Sequence, residues 1–396
     1  MFRMINPVRD YAWGSQTALS EVFGWAPSAH PQAEVWMGSH PAAPSQLITE
    51  DGEHQQIPEL PYLLKVLAAE KPLSIQAHPS KAQAQSGYAA EEAAGVAIGA
   101  GERNYKDTNH KPELTVALTP FSMLCGFREP AQIMADLNAV QRLIAEGDLA
   151  LAIESLSVDI LREDYSAALE TALRDSTGLL TVAAEELTSR NLNNLEPQLA
   201  DTLSRVTSGF PGDPGLFVAL MLNRIDLEPG EGVYVPAGVL HAYLHGVAVE
   251  LQATSDNVLR GGLTPKHIDI PELLKVTTTE VISDPRLAPE QPSGELTGGR
   301  HLCYAPDSED FELHNFEVQT EELSAGWELT APTILLATAG KLTISGRITL
   351  TPGESAFIPA GTRLTLTAET PDQGAAQAYL ATTPGALRTD HEKGAL

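Results

Sequence analysis

Cysteine is nearly absent from this 396-residue chain. Its only two, Cys125 and Cys303, both lie in apolar surroundings, so a disulfide-stapled secreted scaffold is excluded and a reducing cytoplasm is the expected compartment. Basic residues are scarce as well, 25 Lys and Arg against 52 Asp and Glu, a formal net charge of −27. Neither nucleic acid nor an anionic membrane is an expected partner, because phosphate polyanions are bound by clustered Lys and Arg. No run of about 18 apolar residues occurs, and the N-terminus lacks the apolar stretch of a secretory signal. The signatures G-x-S-x-G, G-x-x-x-x-G-K-[ST] and a strand-linked G-x-G-x-x-G are missing too, which removes the serine-hydrolase, P-loop and Rossmann readings. If the substrate is anionic, such an acidic protein must hold it in a local basic pocket.

What is present is a set of short strands carrying metal donors. In an extended strand, residues two apart share a face. Within LSIQAHP, Ser74, Gln76 and His78 therefore project together. Lys111 and Glu113 do the same in HKPEL, and His241 and Tyr243 in VYVPAGVLHAY. One amide, two imidazoles and one carboxylate suit a single divalent ion: zinc, but equally manganese, cobalt or iron. The lack of a thiolate in the set points to a catalytic rather than a structural ion.

The length implies two or three domains. Residues 1–124 read as β structure with a helix near 59–71, and the Ala-rich 80–97 reads as a helix or a lid. Apolar residues recur at helical spacing from 129 to about 207, PGDPG at 211–215 ends that block, and the β pattern then resumes. PELLKV (271–276) reads as a short helix and the Pro-rich 284–298 as a linker. An internal repeat spans 227–238 and 350–361 at an offset of 123, with Pro-Gly and Pro-Ala-Gly turns around a short buried strand. It predicts a mainly β fold with an α insertion: two cupin-type jelly-roll barrels plus a helical domain. The expected boundaries are 1–124 with 215–283 for a discontinuous catalytic barrel, 125–214 for the helical domain, and 284–396 for a second barrel. Leu364 stands where the repeat would place a counterpart of His241, so the second barrel is expected to lack metal ligands.

The motifs YAWG (11–14), EVWMGSHP (34–41), LPYLLKVLAAEKPLSIQAHPSK (60–81), NHKPE (109–113), LCGF (124–127), VPAGVLHAYL (235–244) and VELQATSDNVLRGGLTPK (249–266) resemble, in order, those of the type I phosphomannose isomerases. The resemblance implies one zinc ion per chain on Gln76, His78, Glu113 and His241. It also implies reversible isomerisation of mannose 6-phosphate and fructose 6-phosphate through a cis-enediol, feeding either glycolysis or GDP-mannose supply. Arg260 is implied as a catalytic or substrate-binding residue and Lys111 as the proton carrier, a role open to a lysine only when its pKa is lowered. Beside these, Glu250 sits in an apolar strand where an unpartnered carboxylate is costly, which makes it, with Asp256, a further acid–base candidate. Ser74, Lys65, Lys266, Trp13 and Tyr243 are candidate sugar or phosphate contacts, with Lys65 equally readable as a lysine snorkelling from a helix. His40, His110, His245 and His267 read as loop or surface histidines, His245 in a hairpin turn. The rival readings are a non-catalytic sugar-phosphate-binding cupin and another metal-dependent cupin enzyme; as a particle, a monomer and a weak homodimer are both expected.

Overall fold

The structure, a computed structural model, describes residues 1–144, 147–292, 296, 298–319, 323–369 and 374–389. Among these the strands form three sheets, and a block of helices interrupts them between Pro130 and Gly209. The central sheet runs, in spatial order, through Arg286–Leu287, Gly232–Val235, Glu113–Ala117, His241–Ala253, Tyr62–Ala69, Glu34–Met37 and Val8–Arg9. Its long strand, His241–Ala253, serves two layers. The first half pairs with Phe121–Phe127 and Gln76–Ala77, the second with Tyr62–Ala69 and Glu113–Ala117. The switch occurs at Gly246, where φ is +117 and a Cβ would come within 2.6 Å of the Pro120 carbonyl oxygen. Only glycine tolerates both conditions.

The helix expected near 59–71 is a strand, Tyr62–Ala69, buried at every position. Burial on both faces removes the alternation that identifies a half-exposed strand, so an apolar run of this length has no readable period. Lys65 accordingly projects from a strand and not from a helix. His245 likewise continues the strand His241–Ala253 rather than turning a hairpin. Of LSIQAHP only Gln76 and Ala77 have strand pairing. Residues 80–97 begin as the helix Lys81–Ala93, with a capping box between Ser80 and Gln83.

The helical block follows its sequence periodicity. In Tyr165–Arg174 the buried positions are Tyr165, Ala168, Leu169 and Ala172, and the Asp164 side chain caps the start by accepting from Ala167 N–H. These helices share one core with Ile75, Ala77, Leu240, Ala242, Leu244 and Leu259. The alternate residues Gln76, His78, His241, Tyr243 and Arg260 are thereby turned away from the helices. The insertion is the wall that sets which way the candidate site residues point.

The repeat appears as two strands at its own offset, Gly232–Val235 and Ser355–Ile358. Leu364, the counterpart of His241, is buried opposite Trp327. One exchange between segments was not foreseen. Phe2–Ile5, Gln46–Ile48 and His54–Gln56 extend the sheet of the C-terminal segment, with Phe2 opposite Phe357. Within the linker expected at 284–298, Arg286–Leu287 pairs with Gly232–Val235, while 293–295 and 297 lie outside the described residues. The short helix expected at 271–276 is Ile270–Val276.

Candidate metal centre and substrate pocket

Three buried donors, His78, Glu113 and His241, converge where Glu113 lines a cavity of about 640 Å³. Glu113 Oε1 is 3.3 Å from His78 Nε2, and Glu113 Oε2 is 3.1 Å from His241 Nε2. The two imidazole rings are 5.1 Å apart between centroids. Their other nitrogens face backbone carbonyls, His78 Nδ1 at 2.8 Å from Asn257 O and His241 Nδ1 at 3.0 Å from Val239 O. A carbonyl only accepts, so Nδ1 carries the proton in both rings and each Nε2 is left with a lone pair. Both Nε2 atoms are buried without a hydrogen-bond partner. Two lone pairs and a carboxylate pointed at one spot repel unless a cation lies between them. The residues therefore fit a divalent ion, with the carbonyl contacts as the outer support that metal-bound histidines usually have.

That support is itself anchored. The buried Asn257 side chain donates to Asp107 O at 2.9 Å and Asn109 O at 2.8 Å, and Ser255 Oγ donates to Asp107 Oδ1 at 2.9 Å. Gln76 pairs through its backbone with both His241 and Arg260 and lines the cavity together with Glu113. Burial brings the His78 pKa down to about 4, with nearby Lys111 acting in the same direction. Glu113 is held well below the usual carboxylate range, because the Lys111 ammonium beside it outweighs the effect of burial.

Around this centre runs a buried chain of charges. Lys111 Nζ lies 2.7 Å from Glu113 Oε1. Tyr243 donates its hydroxyl to Glu250 Oε1 at 2.6 Å and lies 3.3 Å from Glu113 Oε2. Lys65 Nζ contacts Glu250 Oε2 at 2.9 Å and Glu34 Oε1 at 3.7 Å, and Trp36 Nε1 donates to Glu34. Burial opposes the Lys65 charge, yet Glu250, Glu34 and Glu113 together keep its pKa above the ordinary lysine value. Lys65 lines the cavity as a cation already claimed by carboxylates.

The cavity mouth differs. Arg260 is half-buried and has no ion pair or side-chain hydrogen bond among the described residues. Burial lowers its pKa, and Lys266 is lowered by partial burial and by its cationic neighbours Arg260 and Lys106. Arg260, Lys266 and Lys106 form a local basic patch in a chain of net charge −27, which is what an anionic ligand needs. Lys106 escaped the sequence reading because a loop lysine carries no periodic signal. Asp256 sits at the same mouth, 3.4 Å from His40 Nε2, and that contact lowers its pKa. Trp13, stacked on Tyr11 with centroids 5.9 Å apart, and Ser74 line the wall.

Of the histidines read as loop or surface residues, His40 lies in a loop but is buried edge-on against Trp36, and His110 lies part-exposed in a loop as an ion-pair partner of Asp310 at 2.7 Å. His267 is exposed, as expected.

Residues 1–130 match the family model described as phosphomannose isomerase type I, catalytic domain. The mannose-6-phosphate isomerase of Salmonella typhimurium is 38% identical over 384 residues, covering 91% of this chain and 95% of the relative. The chain belongs to the type I phosphomannose isomerase family. The Bos taurus enzyme is 33% identical over 91% of both chains. Among solved structures, a mutant of phosphomannose isomerase from Salmonella typhimurium superposes with a TM-score of 0.85 at 35% identity, covering 97% of this chain and 99% of that one. A mannose 6-phosphate isomerase in its holo, zinc-bound form gives 0.84 at 34% identity, covering 96% and 99%. The family's fold, mainly β with a helical insertion and cupin-type barrels, agrees with the architecture above, and no helix among the described residues is long and apolar enough to cross a membrane.

Proposed function

We propose that the chain interconverts D-mannose 6-phosphate and D-fructose 6-phosphate, using one zinc ion held by Gln76, His78, Glu113 and His241. The observation that carries this reading is the pairing of two buried, unpartnered Nε2 lone pairs beside Glu113 with an unpaired cationic patch at the mouth of the same cavity. Zinc, when bound, supplies Lewis-acid polarisation of a sugar oxygen. The chain supplies the rest.

Arg260, Lys266 and Lys106 take the phosphate, the guanidinium as a bidentate donor and the lysines as point charges. Ser74, Trp13 and Tyr11 flank the sugar. Asp256, kept ionised by His40, accepts the anomeric hydroxyl proton as the C1–O5 bond breaks, and the ring oxygen takes up a proton from solvent. The C2 proton then leaves to a base as O1 gains a proton, giving a cis-enediol; the C2 hydroxyl next loses its proton as C1 takes one back from the base. Two groups stand on either side of Glu113 for that transfer, Lys111 and the Tyr243–Glu250 pair. Lys65 Nζ, 2.9 Å from Glu250 Oε2, sets a cation behind that carboxylate. Lys111→Met and Glu250→Gln separate the two: the variant that stops exchange of the C2 hydrogen with deuterated water identifies the carrier.

The decisive experiment is mannose 6-phosphate turnover on the purified protein, after chelation, and after zinc is restored. Activity lost and regained with zinc is the expected result. Saturable sugar-phosphate binding with no product from the folded, zinc-loaded protein would replace the isomerase reading with that of a binding protein.

A further inference from the structure

The C-terminal barrel carries a donor set of its own. His301 and Cys303 lie two apart on the strand Gly299–Tyr304, and Glu312 and His314 two apart on Glu312–Val318. The antiparallel register puts Cys303 directly opposite His314. This spacing on adjacent strands places all four side chains on one face. His301 stacks on Phe316 and meets Trp327 edge-on, with centroid separations of 4.6 and 5.4 Å, so that face is the aromatic interior.

The Cys303 sulfur, a Glu312 carboxylate oxygen and a His314 ring nitrogen all lie within 4.8 Å of one another, and all three residues are buried. His314 Nε2 is 3.0 Å from Glu312 Oε1, and its Nδ1 is 2.9 Å from His301 Nε2. Glu312 meets no lysine or arginine within ion-pair distance among the described residues; its only charge partner there is His314. A carboxylate taken out of water without a cation is costly. Sulfur, nitrogen and oxygen donors at this spacing, from two rigid adjacent strands, match the ligand types of a borderline thiophilic ion.

We propose that Cys303, Glu312 and His314 form a second divalent-metal site, separate from the cavity and selective for Zn²⁺ or Co²⁺, with water completing the coordination. His314 ligates through Nε2, and its Nδ1–H donates to His301 Nε2, the orienting contact expected behind a metal-bound imidazole. Binding releases the thiol proton of Cys303 to solvent, and each imidazole keeps one proton. The ion ties the edge strand Gly299–Tyr304 to its neighbour, a structural role unlike that of the open cavity.

Cobalt titration of the metal-free protein tests this. Two equivalents per chain are expected, one of them with a thiolate-to-cobalt charge-transfer band in the near ultraviolet. The proposed catalytic donors include no sulfur, so that band reports the second site alone. Cys303→Ser removes the band and one equivalent while leaving isomerase turnover within about twofold; His314→Gln also removes one equivalent, whereas Cys125→Ser keeps the band. His241→Ala, which damages the catalytic set, retains the band, so failure at one site is read independently of the other. Uptake of a single equivalent with no charge-transfer band, or a band that survives Cys303→Ser, overturns the proposal.

Discussion

Removing the Lys65 ammonium tests whether the buried charge network is held by one cation. Lys65 is 5% exposed, its partners Glu250 and Glu34 are 2% and 8% exposed, and Glu113 lies near enough to raise its pKa. At an effective dielectric of about 20, contacts at 2.9 and 3.7 Å are each worth about 5 kcal/mol of gross attraction. Desolvation of the ions takes back most of this, so replacing the whole cluster by apolar groups would change stability little. Lys65→Met does something else, because it strands carboxylates that then have no counter-charge. Breaking one side of such a pair costs about 3–5 kcal/mol. The assay is urea unfolding of the metal-free and zinc-loaded proteins. The loss is expected to be greatest without metal, where Glu113 keeps Lys111 as its lysine partner but no metal charge beside it. Glu250→Gln added to Lys65→Met recovers much of it. A Lys65→Met protein within about 1 kcal/mol of wild type in the metal-free state would refute the reasoning, since a loss that small is what solvent-screened ion pairs give.

The basic patch around Arg260 and the acid response give two further predictions. Arg260→Ala loses one charge-assisted contact of about 1.5–3 kcal/mol, so kcat/KM for mannose 6-phosphate falls roughly ten- to hundredfold. Arg260→Lys recovers part of it, and an unchanged kcat/KM places the phosphate elsewhere. On the acid side, His78 is brought from 6.5 to about 4 by burial and His301 to about 3 by burial and His314. Imidazoles held neutral in the fold bind protons more readily once unfolded, so their contribution is present above pH 6.5 and is lost as pH falls from there towards 4. Thermal unfolding of the metal-free protein between pH 7 and pH 4 shows a falling midpoint if this is right, and a flat midpoint contradicts it.

Much of the site was legible because it is written in short-range spacing. Gln76 with His78 and Lys111 with Glu113 are two apart on extended chain, and the repeat at 123 announced the paired strands Gly232–Val235 and Ser355–Ile358. What stayed hidden depends on long-range pairing. Lys65 and Glu250 are 185 positions apart, and only the register of Tyr62–Ala69 against Gly246–Ala253 sets them side by side. The same spacing rule applied to His301 with Cys303 and Glu312 with His314 would have found the second donor set. The repeat points instead to Leu364, on the different strand Thr362–Ala368. The buried strand mistaken for a helix failed for a physical reason, because full burial leaves no face to contrast with another.

The pairing of Phe2–Ile5 with Ser355–Ile358 has a consequence for how the molecule is made. The ribosome delivers the first strand some 350 residues before its neighbour on one side, so that hydrogen-bonding edge waits unpaired while the rest of the chain is synthesised, although Gln46–Ile48 soon covers the other. Closure over so long a loop belongs to the slow class of folding steps, and an exposed strand edge is a template for pairing with the wrong chain. The last barrel therefore acts as the clasp of the polypeptide: until residue 358 has left the ribosome, the nascent chain is open at both ends.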